Sequence, residues 1–300
     1  MEARLLAAGA TPGRADDQDC TPLHQAARSG HTAVAQLLLA AGAAVDAVDQ
    51  SGLTPLFRAI WRRQAETAET LLAAGASPDV VDPESGWRPL HTASRLGVGA
   101  LASALLAAGA SPNMSCRCWY TGIVGTLLAA GASPNNIGGG DATPLQVALL
   151  VGHTDVVVPF LAAGASMEVL TPVGCPPLHL AALAGCRRAV ELLVEAGAAV
   201  GAADYRGRRP LHAAAAADAG YVVELLVAAG AAVHVTDVDG RTPLHGAAQS
   251  GSAAAVGALL RAGAPAAVTD LRGETAADVA AHLGHLAIVA ALMSTGAPAG

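Results

Sequence analysis

The seven residues TPLHQAA at positions 21–27 decide the fold, because related blocks return throughout the chain. Six later blocks, TPLF, RPLH, TPLQ, PPLH, RPLH and TPLH, begin at positions 54, 88, 143, 176, 209 and 242. A second block recurs beside them, with apolar residues before a Gly-Ala pair; its glycines are Gly9, Gly42, Gly75, Gly109, Gly131, Gly164, Gly197, Gly230, Gly263 and Gly296. Seven of the nine intervals between these glycines are 33 residues long, so the chain is an array of one repeated unit.

Each unit predicts two short helices from its own residues. Thr21 is a favourable N-cap residue, and Pro22 suits the first helical position because it lacks the amide hydrogen that is unpaired there anyway. A first helix is therefore expected from Pro22 to near Gly30. The second helix is expected over residues 33–41 and ends at Gly42, because glycine readily adopts the left-handed conformation that terminates a helix.

Helices of roughly eight to ten residues are marginally stable alone, so their stability must come from neighbours stacked on either side. The T-P-L-H-x-A signature and the 33-residue period resemble the ankyrin-repeat family, whose unit is a β-turn followed by two helices. The resemblance covers almost the whole chain. It implies an all-α solenoid of about nine helix-turn-helix repeats with β-turn or hairpin fingers.

The fourth repeat departs from the pattern. Only 22 residues separate Gly109 from Gly131, and residues 123–128 match a second helix with no finger or first helix before it. Residues 114–120 must bridge the gap. We therefore divide the chain into 1–113 (a half repeat plus repeats one to three), 114–132 (a truncated repeat four) and 133–300 (repeats five to nine).

Coupling between neighbours should be weakest at the truncated repeat, so we expect two cooperative blocks, about 1–113 and 123–300. An error in the gene model is the plainer explanation of the missing eleven residues. The array also begins in the middle of a unit, which is typical of a fragment of a longer chain.

Composition and charge exclude several classes of function. The chain is 53% hydrophobic but only 3% aromatic, as expected of a core made from many small contacts. Its net charge of −7 argues against a nucleic-acid partner. Residues 96–116 contain no charged side chain, as a membrane span would require. Glycines and the turn-forming Ser-Pro-Asn at 111–113 interrupt this stretch, so one continuous membrane-spanning helix is not expected.

Cysteines and histidines do not predict a metal or cofactor site. The five cysteines are Cys20, Cys116, Cys118, Cys175 and Cys186; their odd number and irregular spacing favour reduced thiols, and so the cytoplasm or, as the alternative, the nucleus. A zinc site at Cys116 and Cys118 is disfavoured because no second pair lies nearby. The family resemblance implies that the signature histidines bond neighbouring fingers, and rings one repeat apart, about 10 Å, cannot share a metal.

No catalytic signature is present, so an enzyme is not expected, and no small-molecule substrate either. The string GVGALA at 97–102 matches part of a dinucleotide-binding fingerprint, but that motif requires a buried strand before it. Here a helix precedes it. The glycines are better explained by a turn between two helices.

Function is then expected on the surface, and the resemblance places partners on the concave side, made by the fingers and the exposed sides of the first helices. Three clusters of residues there differ from one repeat to the next. The aromatic–arginine cluster contains Arg58, Trp61, Arg62, Trp87 and Arg95. The apolar cluster contains Val147, Leu150, Val151, Pro172, Val173, Leu180 and Leu183. The charged fingers contain Tyr205, Arg206, Arg208, Asp237, Asp239, Arg241, Asp270, Arg272 and Glu274.

These residue types often dominate binding energy, and we expect the first two clusters to form one extended groove for a peptide or domain. Each cluster also has a structural explanation: Trp61 fills space, the apolar cluster packs on the irregular fourth repeat, and the charged fingers are solvated tips. The expected function is a non-catalytic protein-interaction module or scaffold, inhibitory subunits included. The alternatives are a substrate-recruiting adaptor of a ubiquitin ligase and the repeat arm of a larger enzyme or channel.

Overall fold

The computed structural model describes residues 11–113, 121–137 and 142–295. Within them, helices follow one another in pairs, as the repeat predicts, except for the single described helix of the truncated repeat, Val124–Ala129. Their bounds are α1 Pro22–Ser29, α2 Thr32–Ala40, α3 Pro55–Trp61, α4 Ala65–Ala73, α5 Pro89–Arg95, α6 Gly99–Ala107, α7 Val124–Ala129, α8 Pro144–Val151, α9 Val157–Ala162, α10 Pro177–Leu183, α11 Arg187–Glu195, α12 Pro210–Ala216, α13 Gly220–Ala228, α14 Pro243–Ser250, α15 Ala253–Arg261, α16 Ala276–His282 and α17 Leu286–Thr295. Short 3₁₀ turns, Thr121–Ile123 and Thr154–Val156, precede α7 and α9.

Two compact units make up the chain, Met1–Gly138 and Gly139–Gly300. In the first unit, α1, α3 and α5 are the first helices of their repeats and pack side by side, while α2, α4 and α6 are the second helices. In the second unit, α8, α10, α12, α14 and α16 are the first helices. Helix α7 belongs to the first unit, and the separate unfolding of blocks 1–113 and 123–300 stays a prediction.

The helix limits predicted for the first repeat are confirmed within one residue. Helix α1 begins at Pro22, and Gly30 follows its end with φ 74°. Gly42 closes the second helix with φ 86°. Helix capping and left-handed termination depend only on adjacent residues, so the helix limits can be predicted from the local sequence of each repeat.

The core is built from the leucine and alanine of each signature. The leucines at the second helical position are almost completely buried in every described first helix that has one: Leu23, Leu56, Leu90, Leu145, Leu178, Leu211 and Leu244. Burying a leucine stabilises a fold by about 1.5–3 kcal/mol. The alanines three residues further on are also buried, and their small side chains let neighbouring helices approach closely.

Four of the signature histidines tie one finger to the next, as the family resemblance implies. The Nε2 atoms of His24, His179, His212 and His245 lie 2.7–3.1 Å from carbonyl oxygens 29 residues later in the chain. In repeat five Gln146 does the same work, because its amide nitrogen donates to the carbonyl of Val169 at 2.6 Å.

The predicted bridge at 114–120 and the half repeat at residues 1–10 lie outside the described residues. The string at 97–102 forms the turn after α5 and the first residues of α6, with Gly97 at φ 67°, so a helix precedes it as predicted. No helix in the described part of the chain combines the length and the apolar character needed to cross a bilayer.

Candidate partner-binding surface

The exposed side of each first helix is set by its position in the repeat. The second residue of the helix is buried, whereas the seventh is turned away from the core. In the first unit the seventh residues of α1, α3 and α5 are Arg28, Trp61 and Arg95, and all three are exposed. Trp61 keeps 47% of its surface accessible, so filling internal space does not account for this side chain.

Arg58 lies at the fourth position of α3 and binds a finger. Its Nε and Nη2 donate to Oδ2 of Asp49 at 2.8 and 2.5 Å. Among the influences on the pKa of the Asp49 carboxyl, burial is the largest and by itself would raise it. The hydrogen bonds from Arg58 and the Leu53 amide outweigh burial and hold that pKa below its usual value. Arg58 therefore anchors the finger, and its charge is already paired.

Trp87 and Arg95 form one assembly at the base of the third finger. The Trp87 ring stacks on His91 with centroids 6.5 Å apart. The guanidinium carbon of Arg95 lies 4.8 Å from the centre of the Trp87 ring, within the range of a cation–π contact. Trp87 is half-buried and packs against the core, so it positions Arg95 more than it offers a surface of its own. Arg62, directly after α3, is exposed.

Most of the predicted apolar cluster is exposed, but Leu180 is not. Leu150, Val151, Val173 and Leu183 are 52–65% exposed. Pro172 is exposed as well, and Val147 is half-buried.

Leu180 is 4% exposed, which corrects its predicted place on the surface. It occupies the fourth position of α10, equivalent to Arg58 in α3. That position faces the fingers, so a large apolar side chain there is covered.

A groove in the second unit brings parts of two predicted clusters together. Its floor comes from first helices α10 and α12 and includes Leu180, Leu183, Ala213 and Ala216. Its walls come from the fingers and include Arg206, Arg208, Asp239 and Arg241. The groove therefore joins the C-terminal part of the apolar cluster to the charged fingers. The predicted union of the apolar cluster with the aromatic–arginine cluster, which lies in the first unit, stays a prediction.

The charges on the walls of this groove are largely paired with one another. Arg208 binds Asp204 at 2.7 Å, Arg206 lies 3.5 Å from Asp239, and Arg241 lies 3.8 Å from Asp270. For Asp204, burial acts most strongly and would raise the carboxyl pKa, but hydrogen bonds from Arg208 and the finger amides hold that pKa below its usual value. The walls therefore carry almost no net charge, and the apolar floor is the part of the groove best suited to contact a partner.

The family model described as ankyrin repeats (3 copies) matches residues 3–82, 114–204, 145–237 and 211–299. The chain belongs to the ankyrin-repeat family. Ankyrin repeats are generally protein–protein interaction modules and are typically non-catalytic. No curated protein sequence matches the chain at a significant level.

The tips of the ankyrin fingers in the second unit carry an apolar row that we did not predict in full. Tyr205, Val238 and Leu271 are 69%, 59% and 79% exposed. The amide of each donates to a carbonyl of the preceding finger, at 3.4, 3.0 and 3.0 Å. The signal that could have found this row is the register, since each residue directly follows an aspartate 33 residues from the next. Register could likewise have added Arg28 to the aromatic–arginine cluster.

Nothing in the described residues 11–113, 121–137 and 142–295 groups three His, Cys, Asp or Glu side chains as a metal site would require. The signature histidines use their rings for the finger contacts given above. Cys116 and Cys118 lie outside the described residues. Among the described cysteines, Cys20, Cys175 and Cys186 are free thiols.

Proposed function

We propose that this ankyrin array is a non-catalytic module that binds a partner protein on the face formed by the fingers and the exposed sides of the first helices. The observation that carries the proposal is the groove of the second unit, where Leu183 is 52% exposed on the floor between ion-paired fingers. Leu150 occupies the equivalent position on α8 and is 53% exposed. Exposed leucines at a repeated position, rimmed by polar residues, are typical of an interaction surface.

A pair of matched variants tests this assignment. Leu183→Asp places a charge on the floor of the groove. Val158→Asp introduces the same charge on second helix α9, at a residue that is also 52% exposed. Both variants should keep the far-UV circular dichroism spectrum of the parent, because neither site is in the core.

Binding of a partner purified with the full chain is then measured by calorimetry. We expect Leu183→Asp to weaken binding at least tenfold and Val158→Asp to leave it within a factor of two, since a charge on the floor must be desolvated on binding. Equal effects of the two variants, or none from Leu183→Asp, would refute the proposal.

We further propose a reducing compartment, the cytoplasm or the nucleus, as the site of action. The free thiols of Cys20, Cys175 and Cys186 support it, because such thiols persist where glutathione keeps cysteines reduced. Localisation of a tagged full chain by microscopy tests it, and a signal confined to the secretory pathway would overturn it.

A further inference from the structure

We propose that the first unit recognises an acidic, extended peptide segment of the partner, laid across Arg28, Trp61 and Arg95. This inference rests on the proposed function and gives the chemistry of the partner for one part of the surface. The three residues are called the arginine–tryptophan row below.

The repeat places the three side chains in one line. Each is the seventh residue of a first helix, counted from Pro22, Pro55 and Pro89. Helices α1 and α3 pack together, as do α3 and α5. Packed helices lie about 8–10 Å apart, so the two arginines lie roughly 16–20 Å apart with Trp61 between them.

The positive charge of the row is not neutralised within the described part of the chain. Helices α1, α3 and α5 contain no aspartate or glutamate. Arg58 is paired with Asp49, and Arg88 lies 3.7 Å from Asp79. In contrast, no carboxylate within the described residues comes within 4.0 Å of the guanidinium groups of Arg28, Arg62 or Arg95. A local excess of cations thus stands out in a chain whose net charge is −7.

Arg95 is also held in place before a ligand arrives. Its guanidinium group lies over the Trp87 ring, which in turn stacks on His91. A stacked guanidinium keeps its N–H groups at the edge of the plane, where they can bind a carboxylate with two parallel hydrogen bonds. Less side-chain entropy is lost when such a preorganised group binds.

The chemistry and spacing of the row favour a particular kind of segment. Arginines bind carboxylates, and the exposed half of Trp61 suits an apolar side chain. An extended peptide rises roughly 3.3 Å per residue, so two carboxylates about six residues apart match the two arginines, with an apolar residue midway. A nucleic acid is less suited, because a phosphate-binding surface needs many more cations than this row supplies.

A synthetic probe tests the inference on the full chain. The probe is a fluorescein-labelled peptide of about nine residues with two glutamates six apart, a leucine midway and Gly/Ser elsewhere. A second peptide has glutamine in place of both glutamates. Fluorescence anisotropy at low ionic strength should show at least tenfold tighter binding of the glutamate peptide, and added salt should remove most of that difference.

Variants then locate the binding site. Arg28→Gln with Arg95→Gln should weaken binding of the glutamate peptide at least tenfold, and Trp61→Ala should weaken binding of both peptides several-fold. Arg272→Gln is the control, because Arg272 is an exposed arginine of the second unit and no described carboxylate lies within 4.0 Å of it. It should leave the affinity unchanged.

Three results would overturn the inference. They are equal binding of the two peptides, an unchanged affinity in the double arginine variant, and tighter binding of a single-stranded oligonucleotide through the same arginines. Failure of the proposed function is seen separately, because Leu183→Asp should weaken partner binding and leave the glutamate peptide unaffected. If Leu183→Asp abolishes partner binding but the glutamate peptide never binds, only the inference about the first unit is wrong.

Discussion

The first helices of the two units share one skeleton but present different surfaces. Their buried leucines and alanines occupy equivalent positions, and all are close to fully buried. At the seventh position the first unit has Arg28, Trp61 and Arg95, whereas the second has Leu150, Leu183, Ala216, Gln249 and His282. The contrast shows that stacking and recognition are carried by separate positions of the ankyrin repeat, so either surface can change without altering the fold.

Charge is also distributed differently between the units. In the second unit, first helices α8, α10, α12 and α14 contain no Asp, Glu, Lys or Arg, and the ion pairs along the groove lie on the fingers. In the first unit, cations lie on the first helices themselves. The first unit therefore favours an acidic ligand and the second an apolar one.

The largest expected effect separates the stability of the two units. Leu56→Ala and Leu211→Ala each remove a buried leucine side chain, at 0% and 1% exposure, and each should lower the free energy of unfolding by about 2–5 kcal/mol. All three tryptophans precede Gly138, so tryptophan fluorescence reports the first unit and circular dichroism reports both. Leu56→Ala should shift the fluorescence transition in urea, and Leu211→Ala only the remaining dichroism transition. Coincident shifts of both signals in both variants would show one cooperative block.

An intermediate effect concerns pH. Burial is the main cause that lowers the pKa of His24, His91, His179 and His212 below the usual value. The unfolded chain then binds more protons than the folded one below about pH 6.5, so stability is fully present above that pH and is lost as the pH falls. Each histidine contributes at most about 1.4 kcal/mol per pH unit to that loss.

One repeat already has a residue that does not titrate in place of the signature histidine, and this provides a control for the pH prediction. Gln146 makes both contacts of a signature histidine, accepting from the Thr143 amide at 2.7 Å and donating to Val169, and it does not titrate. His212→Gln should therefore reduce the loss of stability between about pH 7 and pH 5, measured by urea unfolding. An unchanged pH dependence would mean that other groups cause the acid sensitivity.

The smallest effect concerns one missing donor. In repeats with threonine or arginine before the signature proline, the amide of that residue donates to the histidine Nδ1, as Thr242 does to His245 at 3.2 Å. Pro176 has no amide hydrogen, and Nδ1 of the buried His179 has no partner. Pro176→Thr should raise the free energy of unfolding by about 1 kcal/mol, and Pro176→Ala should retain most of the gain. Thermal unfolding measures both; no gain in either variant would show that the missing donor costs little.

The helices could be predicted from the sequence because their limits depend on adjacent residues. Pro22 and Gly30 specify their own conformations, and the 33-residue register extends that result to every regular repeat. The surface could be predicted only in part, since exposure depends on fingers that fold over the helices from elsewhere in the chain. Leu180 is therefore covered although its neighbour Leu183 is exposed, and Arg58 is engaged by Asp49, nine residues earlier.

Hydrogen–deuterium exchange of the full chain, with and without its purified partner, tests most directly whether the partner meets the finger and first-helix face. We predict that the partner slows exchange in the fingers at 171–175 and 204–208 and in first helices α8, α10 and α12, with second helices α9, α11 and α13 unchanged. Slower exchange confined to the second helices, or no change in the fingers, would contradict the account.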